Sequence, residues 1–284
     1  MESLRAAFYQ AANFRNASPT LVRIEFNPEK LDMKTIILTL TCILGCSAAL
    51  AQLPNHTQIF EPVPQLVTGA THEAAPSDAI VLFDGNNMNA WERLEDSASP
   101  QWDIEGRVVT VNGTGTLRSK QTFSSFQLHM EWRATDVIEG ESQLRGNSGI
   151  FLHSLYEIQI LDSWENPTYV NGQAGSVYLQ HIPQVNAAKR PGEWQSYDII
   201  FTAPIYLANG TLQSPAYVTL LHNGVLVQNH VEILGSTYTR APEYESTCTP
   251  FAHNEEQACD DKMPLLLQDH GQVVSFRNIW LREL

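Results

Sequence analysis

Cysteine is scarce in this chain of 284 residues: only four are present. Two of them, Cys42 and Cys46, fall in an apolar leader. The other two, Cys248 and Cys259, share one polar segment and are expected to pair as a disulfide in an oxidising compartment. A metal pair with His253 between them is the rival reading, but no further Cys or His stands at zinc spacing. Basic residues are also few, 17 Lys and Arg against 31 Asp and Glu. Residues 1–51 carry five of the former and four of the latter, so the remainder has a formal charge of −15. That balance argues against nucleic acid, anionic polysaccharide and anionic membrane surfaces, all of which need basic patches. A neutral ligand or a cation fits better, and carbohydrate is the obvious neutral polymer outside a cell.

Helical periodicity is missing too: no amphipathic pattern of three turns appears. There is no glycine-rich phosphate loop, no Gly-x-Ser-x-Gly elbow and no His-Glu-x-x-His site. Long apolar runs are limited to one, Thr35 to Leu50, too short for a comfortable membrane span. It follows Met33-Lys34 and leads to Ala49-Leu50-Ala51, the pattern of a secretory signal peptide. Residues 1–32 then read as an extension ahead of the true start at Met33. Ile43-Leu44-Gly45-Cys46 resembles a lipobox, but Leu44 stands where a small residue is wanted and the A-x-A site lies just downstream. Plain export to the periplasm or exterior is therefore favoured over lipidation at Cys46. Residues 52–78, with Pro54, Pro62, Pro64 and Pro76, read as a linker. A single domain is expected over residues 79–284.

What fills that domain is strand. Phe126 to Arg133 alternates without a fault, with Phe126, Leu128, Met130 and Trp132 on the core face and Gln127, His129, Glu131 and Arg133 on the other. Asn147 to His153 and Tyr156 to Asp162 read as two further strands. Tyr197 to Phe201 is another. Tyr217 to His222 meets Asn223-Gly224 and then Val225 to Val227, a hairpin with an Asn-Gly turn. Val273 to Leu281 closes the chain. Many short strands with Gly, Pro and Asn punctuation indicate an all-β sandwich or jelly roll of two antiparallel sheets.

The candidate chemistry sits on these strands. Ile158 and Ile160 point one way, while Glu157 and Gln159 point the other into a polar cleft. Glu157-x-Gln159-x-x-Asp162 resembles the E-x-D-x-x-E signature of laminarinase-like retaining glycosidases, where the first Glu is nucleophile and the last is acid/base. It departs at both later positions. A regular strand would also point residues 157 and 162 to opposite sides, and retention needs carboxyls roughly 5–5.5 Å apart. Asp162 therefore stands either as a catalyst or as the first residue of a turn. His270, between Asp269 and Gly271, is a candidate base near neutral pH. Gln268, Asn147 and His153 are candidate substrate contacts, as are Glu131, Arg133 and Gln159. Trp194 stands as a core or rim residue that could also stack a sugar ring.

Six segments in order carry a family resemblance. They are Leu82-Phe83-Asp84-Gly85-Asn86, Glu131-Trp132-Arg133, Asn147 to Leu152, Tyr156 to Asp162, Gly192 to Ile199, and Leu267 to Gly271 with Phe276 to Trp280. Together they resemble the bacterial 3-keto-disaccharide hydrolase domain family over residues 79–284. The resemblance implies a concanavalin-like jelly roll, export, and action on glycosides oxidised at C3. A C3 ketone acidifies the C2 proton, so a base can remove it and the C1 substituent can leave by elimination, with water adding back. Glu157 or His270 would be the base, or the two would share a divalent metal. Arg133 or that metal would hold the enolate, and Glu131 and Gln159 the hydroxyls. No organic cofactor is implied. A retaining glycosidase using Glu157 and Asp162, or a noncatalytic carbohydrate-binding module, are the alternatives.

Overall fold

The computed structural model describes residues 58–71, 74–207, 209–237, 241–244 and 262–284. The expected signal peptide, Cys46 and the Cys248–Cys259 pair lie outside the described residues. The chain divides into two compact units, residues 1–65 and 66–284. In the first, the described residues 58–65 are exposed and carry no strand or helix. The second contains every described strand.

Alternating residues build two sheets. The larger runs in the order β13 (Val225–Glu232), β12 (Tyr217–His222), β9 (Gln195–Thr202), β6 (Phe126–Ala134), β15 (Val274–Glu283), β4 (Val108–Thr110) and β3 (Asp103–Glu105). A further strand, β1 (Ile80–Phe83), also pairs with β15. The smaller sheet runs β2 (Trp91–Arg93), β5 (Leu117–Ser119), β14 (Leu266–Leu267), β7 (Ser148–Leu152) and β8 (Tyr156–Ile160). A short hairpin, β10 (Ile205–Tyr206) with β11 (Leu212–Ser214), stands apart. All pairings are antiparallel, and the two sheets face each other as a jelly-roll sandwich.

The core is the set of inward positions that alternation assigns. Phe126, Leu128, Met130 and Trp132 of β6 are buried, as are Ile150, Leu152, Tyr156, Ile158 and Ile160 from β7 and β8. Each such large apolar side chain contributes about 1.5–3 kcal/mol on burial. Phe201 joins the layers, packing against Phe126 of its own sheet and Tyr156 of the other. The Tyr197 hydroxyl crosses the core to donate to the Gln159 carbonyl at 2.7 Å. That bond fixes the depth of β8 from beneath. The Asn223-Gly224 turn has positive φ at both residues, 54° and 77°, as its tight hairpin requires.

Two features depart from regular alternation. In β15, Arg277 pairs with Glu131 and Trp280 with His129, so two residues, Asn278 and Ile279, oppose one. This is a β-bulge, with Asn278 at φ 50°. It turns Arg277 and Asn278 to the same outer face. The second departure is at the expected linker, whose later part is tied to the domain: Asp78 accepts from Arg282 Nε at 2.9 Å. A charge pair to the closing strand thus anchors the chain just before β1.

Candidate functional site

The residues singled out from sequence divide between the two outer faces of the sandwich. Glu157 and Gln159 lie on the outer face of the smaller sheet, each 1% exposed. In β7, Gly149 pairs with Gln159 and Phe151 with Glu157. The glycine has a spatial reason: a Cβ at position 149 would stand 2.6 Å from Glu157 Oε1. Its absence leaves room for the carboxylate to lean across β7. Gln268 continues β14 beside Gly149, donating its backbone N–H to the Gly149 carbonyl at 3.0 Å. Its own carbonyl accepts from the Ser148 hydroxyl at 2.7 Å.

A chain of amides extends from Gln159. Its Nε2 donates to Gln143 Oε1 at 2.9 Å, while its Oε1 is buried without a partner. Asn147 Nδ2 donates to the Gln143 carbonyl at 2.8 Å, and the Asn147 N–H donates to Gln272 Oε1 at 2.9 Å. Gln272 Nε2 lies 3.5 Å from His270 Nδ1. The structure therefore gathers Glu157, Gln159, Asn147, Gln268 and the exposed His270 on one side. Asp269 does not orient His270, because its two oxygens accept from the backbone N–H groups of Gly115 and Gly271, each at 2.9 Å.

Asp162 lies past the end of β8 and is a pin. Arg145 Nε donates to its Oδ2 at 2.6 Å, and the Trp164 N–H donates to its Oδ1 at 3.1 Å. Its carbonyl accepts from Asn166 Nδ2. His153 is 2% exposed at a turn with φ 51°, and its ring meets Phe201 edge-on at 4.8 Å. It sits between the sheets, away from the outer face that carries Glu157.

Glu131 and Arg133 belong to the outer face of the larger sheet, on the opposite side of the sandwich. There a cavity of about 550 Å³ is lined by Glu131, His129, Asp198, Trp194, Arg277 and Asn278, among others. Arg277 Nε donates to Glu131 Oε2 at 2.7 Å, and Asn278 Nδ2 to Glu131 Oε1 at 3.1 Å. His129 Nδ1 meets Asp198 Oδ1 at 2.6 Å. Burial acts to raise the Glu131 carboxyl, but hydrogen bonds from His129, Asn278 and Arg277 outweigh it and hold it down at about 2. Burial acts to lower His129, but the Asp198 and Glu131 carboxylates outweigh it and hold the imidazole up at about 9. The guanidiniums of Arg133 and Arg277 lie 4.7 and 4.1 Å from the Trp194 ring centre. The carboxylates of Glu131 and Asp198 are thus paired with Arg277 and His129.

Sequence reasoning passed over Gln143, Gln272, Tyr169 and Tyr178, and it gave no role to Asp198, Arg277 and Asn278 although they stand in the segments that carry the family resemblance. Phe276 to Trp280 stood among the conspicuous segments. Its Asn within a strand of β-branched and aromatic residues is the signal of the bulge.

Residues 78–282 match the 3-keto-alpha-glucoside-1,2-lyase-like domain. The chain belongs to this family. A crystal structure of a candidate glycosyl hydrolase from Parabacteroides distasonis ATCC 8503 is 45% identical, with TM-score 0.73, covering 82% of this chain and 97% of that one. A second candidate glycosyl hydrolase from the same organism, 18% identical with TM-score 0.51, covers 72% of this chain and 94% of that one and shows the shared fold. No curated protein matches the chain significantly. The family is glycosyl-hydrolase-like and carbohydrate-active. Among the described residues, no helix is long and apolar enough to cross a membrane.

For a metal, Glu157 and His270 are the candidate donors. Two donors do not by themselves hold a divalent ion, and among the described residues no three His, Cys, Asp or Glu side chains converge.

Proposed function

We propose that this protein is an exported enzyme that cleaves 3-keto-glycosides, with Glu157 as the base that removes the C2 proton. The C3 ketone makes that proton acidic. Loss of the C1 substituent then gives an enone, and water adds at C1 to complete net hydrolysis. The observation that carries this reading is the setting of Glu157: a buried carboxylate with space cleared by Gly149, on the same sheet face as Gln159. Gln159 and Gln268 flank it and offer amide groups to the ketone oxygen and hydroxyls. A carboxylate locked to Arg, as Glu131 is to Arg277, cannot accept a proton cheaply.

The arrangement also favours elimination over paired-carboxylate displacement. Both Asp162 oxygens are held by Arg145 and Trp164, which leaves Glu157 without a second mobile carboxyl at that spacing. The test compares a glucoside with its 3-keto derivative, using wild type and Glu157→Gln. Wild type should cleave the 3-keto compound alone, and the variant should lose about 10³-fold in kcat/KM. Cleavage of the unoxidised glucoside at a similar rate, or undiminished turnover by the variant, would overturn the reading.

A further inference from the structure

Removal of a C2 proton is half of an elimination. The oxygen leaving C1 must gain a proton, and C1 is bonded to C2, so the acid must stand next to the base. The outer edge of β8 shows which side chain does. Ile158 forms an antiparallel bridge with Val177. That register sets Glu157 opposite Tyr178 and Gln159 opposite Ser176, and two hydrogen bonds confirm it. The Tyr178 N–H donates to the Glu157 carbonyl at 3.0 Å, and the Gln159 N–H donates to the Ser176 carbonyl at 3.1 Å. Directly opposed residues point to the same side, with Cβ atoms about 4.5–5.5 Å apart. Val177 and Ile158 are both fully buried on the core side. Tyr178 therefore shares the outer face with Glu157 as its immediate lateral neighbour.

The Tyr178 hydroxyl is hydrogen-bonded to that of Tyr169, whose ring lies at 63° to it with centroids 6.2 Å apart. Tyr169 is held by its own support. Its ring packs on the backbone of Gly172, where a Cβ would fall 2.0 Å from Cε2. The Gly172 carbonyl accepts from Gln143 Nε2 at 3.0 Å, the same Gln143 that holds Gln159. The two phenols thus belong to the amide network around Glu157.

We infer that Tyr178 is the general acid for the departing C1 oxygen, with Tyr169 as the positioning residue that hydrogen-bonds its phenolate. The inference rests on the reading of Glu157 as the C2 base. In the elimination, the C2–H bond breaks and its proton goes to Glu157. The C1–O bond then breaks and the Tyr178 proton goes to the leaving oxygen. In the hydration, water adds to C1 and gives its proton to the Tyr178 phenolate, while Glu157 returns its proton to C2. Both groups end as they began, and the net reaction consumes one water. The charges cooperate. Burial raises the Tyr178 phenol, as do its bond to Tyr169 and the negative charge of Glu157. Once Glu157 is protonated that last effect disappears, so Tyr178 gains acidity at the step where it must donate.

The experiment uses two 3-keto-glucosides, one with a sugar aglycone and one with a 4-nitrophenyl aglycone, which leaves without help from an acid. Exchange of the C2 proton with D2O, followed by NMR on the 3-keto compounds, reports the base alone. Tyr178→Phe should lose about 100-fold in kcat/KM on the sugar aglycone and less than about fivefold on the nitrophenyl one, with exchange retained. Tyr169→Phe should lose about tenfold on the sugar aglycone only. Glu157→Gln should lose exchange and both cleavages. Equal loss by Tyr178→Phe on both aglycones, or no loss on either, overturns the inference while leaving Glu157 as base. Absence of exchange and cleavage in wild type overturns the proposed function and the inference with it.

Discussion

The two outer faces of the sandwich are built by the same alternation and serve opposite ends. On the larger sheet, Glu131, His129, Asp198, Arg277 and Asn278 form a closed set in which the carboxylates have cationic or amide partners. On the smaller sheet, Glu157 lies among Gln159, Gln268 and Tyr178. A carboxylate whose charge is neutralised by Arg has little driving force to take a proton. At Glu157 the missing side chain of Gly149 opens space over the carboxylate, where a substrate carbon can approach. The distinction lies in the company, not in the residue type or its place on a strand.

The largest effect separates the two faces directly. Glu157→Gln should lose about 10³-fold in kcat/KM, because an amide cannot take the C2 proton. Glu131→Gln should retain activity within a few fold and melt lower, because Arg277 loses its charge partner. Steady-state kinetics and thermal melts on both variants check this, and interchange of the two results would erase the contrast.

Next in size is Asp162. Removing it by Asp162→Ala strips Arg145 of its partner in a buried setting and should cost about 3–5 kcal/mol by chemical denaturation. Gly149→Ala follows. It should displace the Glu157 carboxylate and lower kcat about tenfold or more while the fold persists, since misplacement of a reacting group by about 1 Å can cost 10²-fold. The smallest effect concerns pH. His129 titrates in the fold at about 9 against an ordinary 6.5, so the stability it contributes is complete below 6.5 and is lost as pH rises through about 9. Denaturation midpoints measured from pH 6 to 10 should show that decline, and His129→Phe should flatten it.

Much of this was legible in the sequence. The alternation of Phe126 to Arg133 assigned the core face of β6 correctly, and Ile158 and Ile160 assigned that of β8. The Asn223-Gly224 turn followed from φ requirements alone. Placing Glu131 and Glu157 on one cleft was not decidable that way, because alternation says which side of its own sheet a residue takes and not which sheet it joins. The Arg145–Asp162 pin spans 17 residues and a change of direction, so spacing offered no hint of it. The pairing of Tyr178 with Glu157 depends on a single bridge, Ile158 to Val177, too short to leave a periodic pattern.

The bulge in β15 has an evolutionary consequence. It opposes two residues to Met130, yet the pairing on either side, Arg277 with Glu131 and Trp280 with His129, remains antiparallel. Omitting Asn278 would leave Ile279 opposite Met130 and every other partner unchanged, with Ile279 and Leu281 still directed inward. The polar face of the larger sheet can thus gain or lose a side chain by insertion or deletion of a single codon, without a rearrangement of the sandwich that carries it.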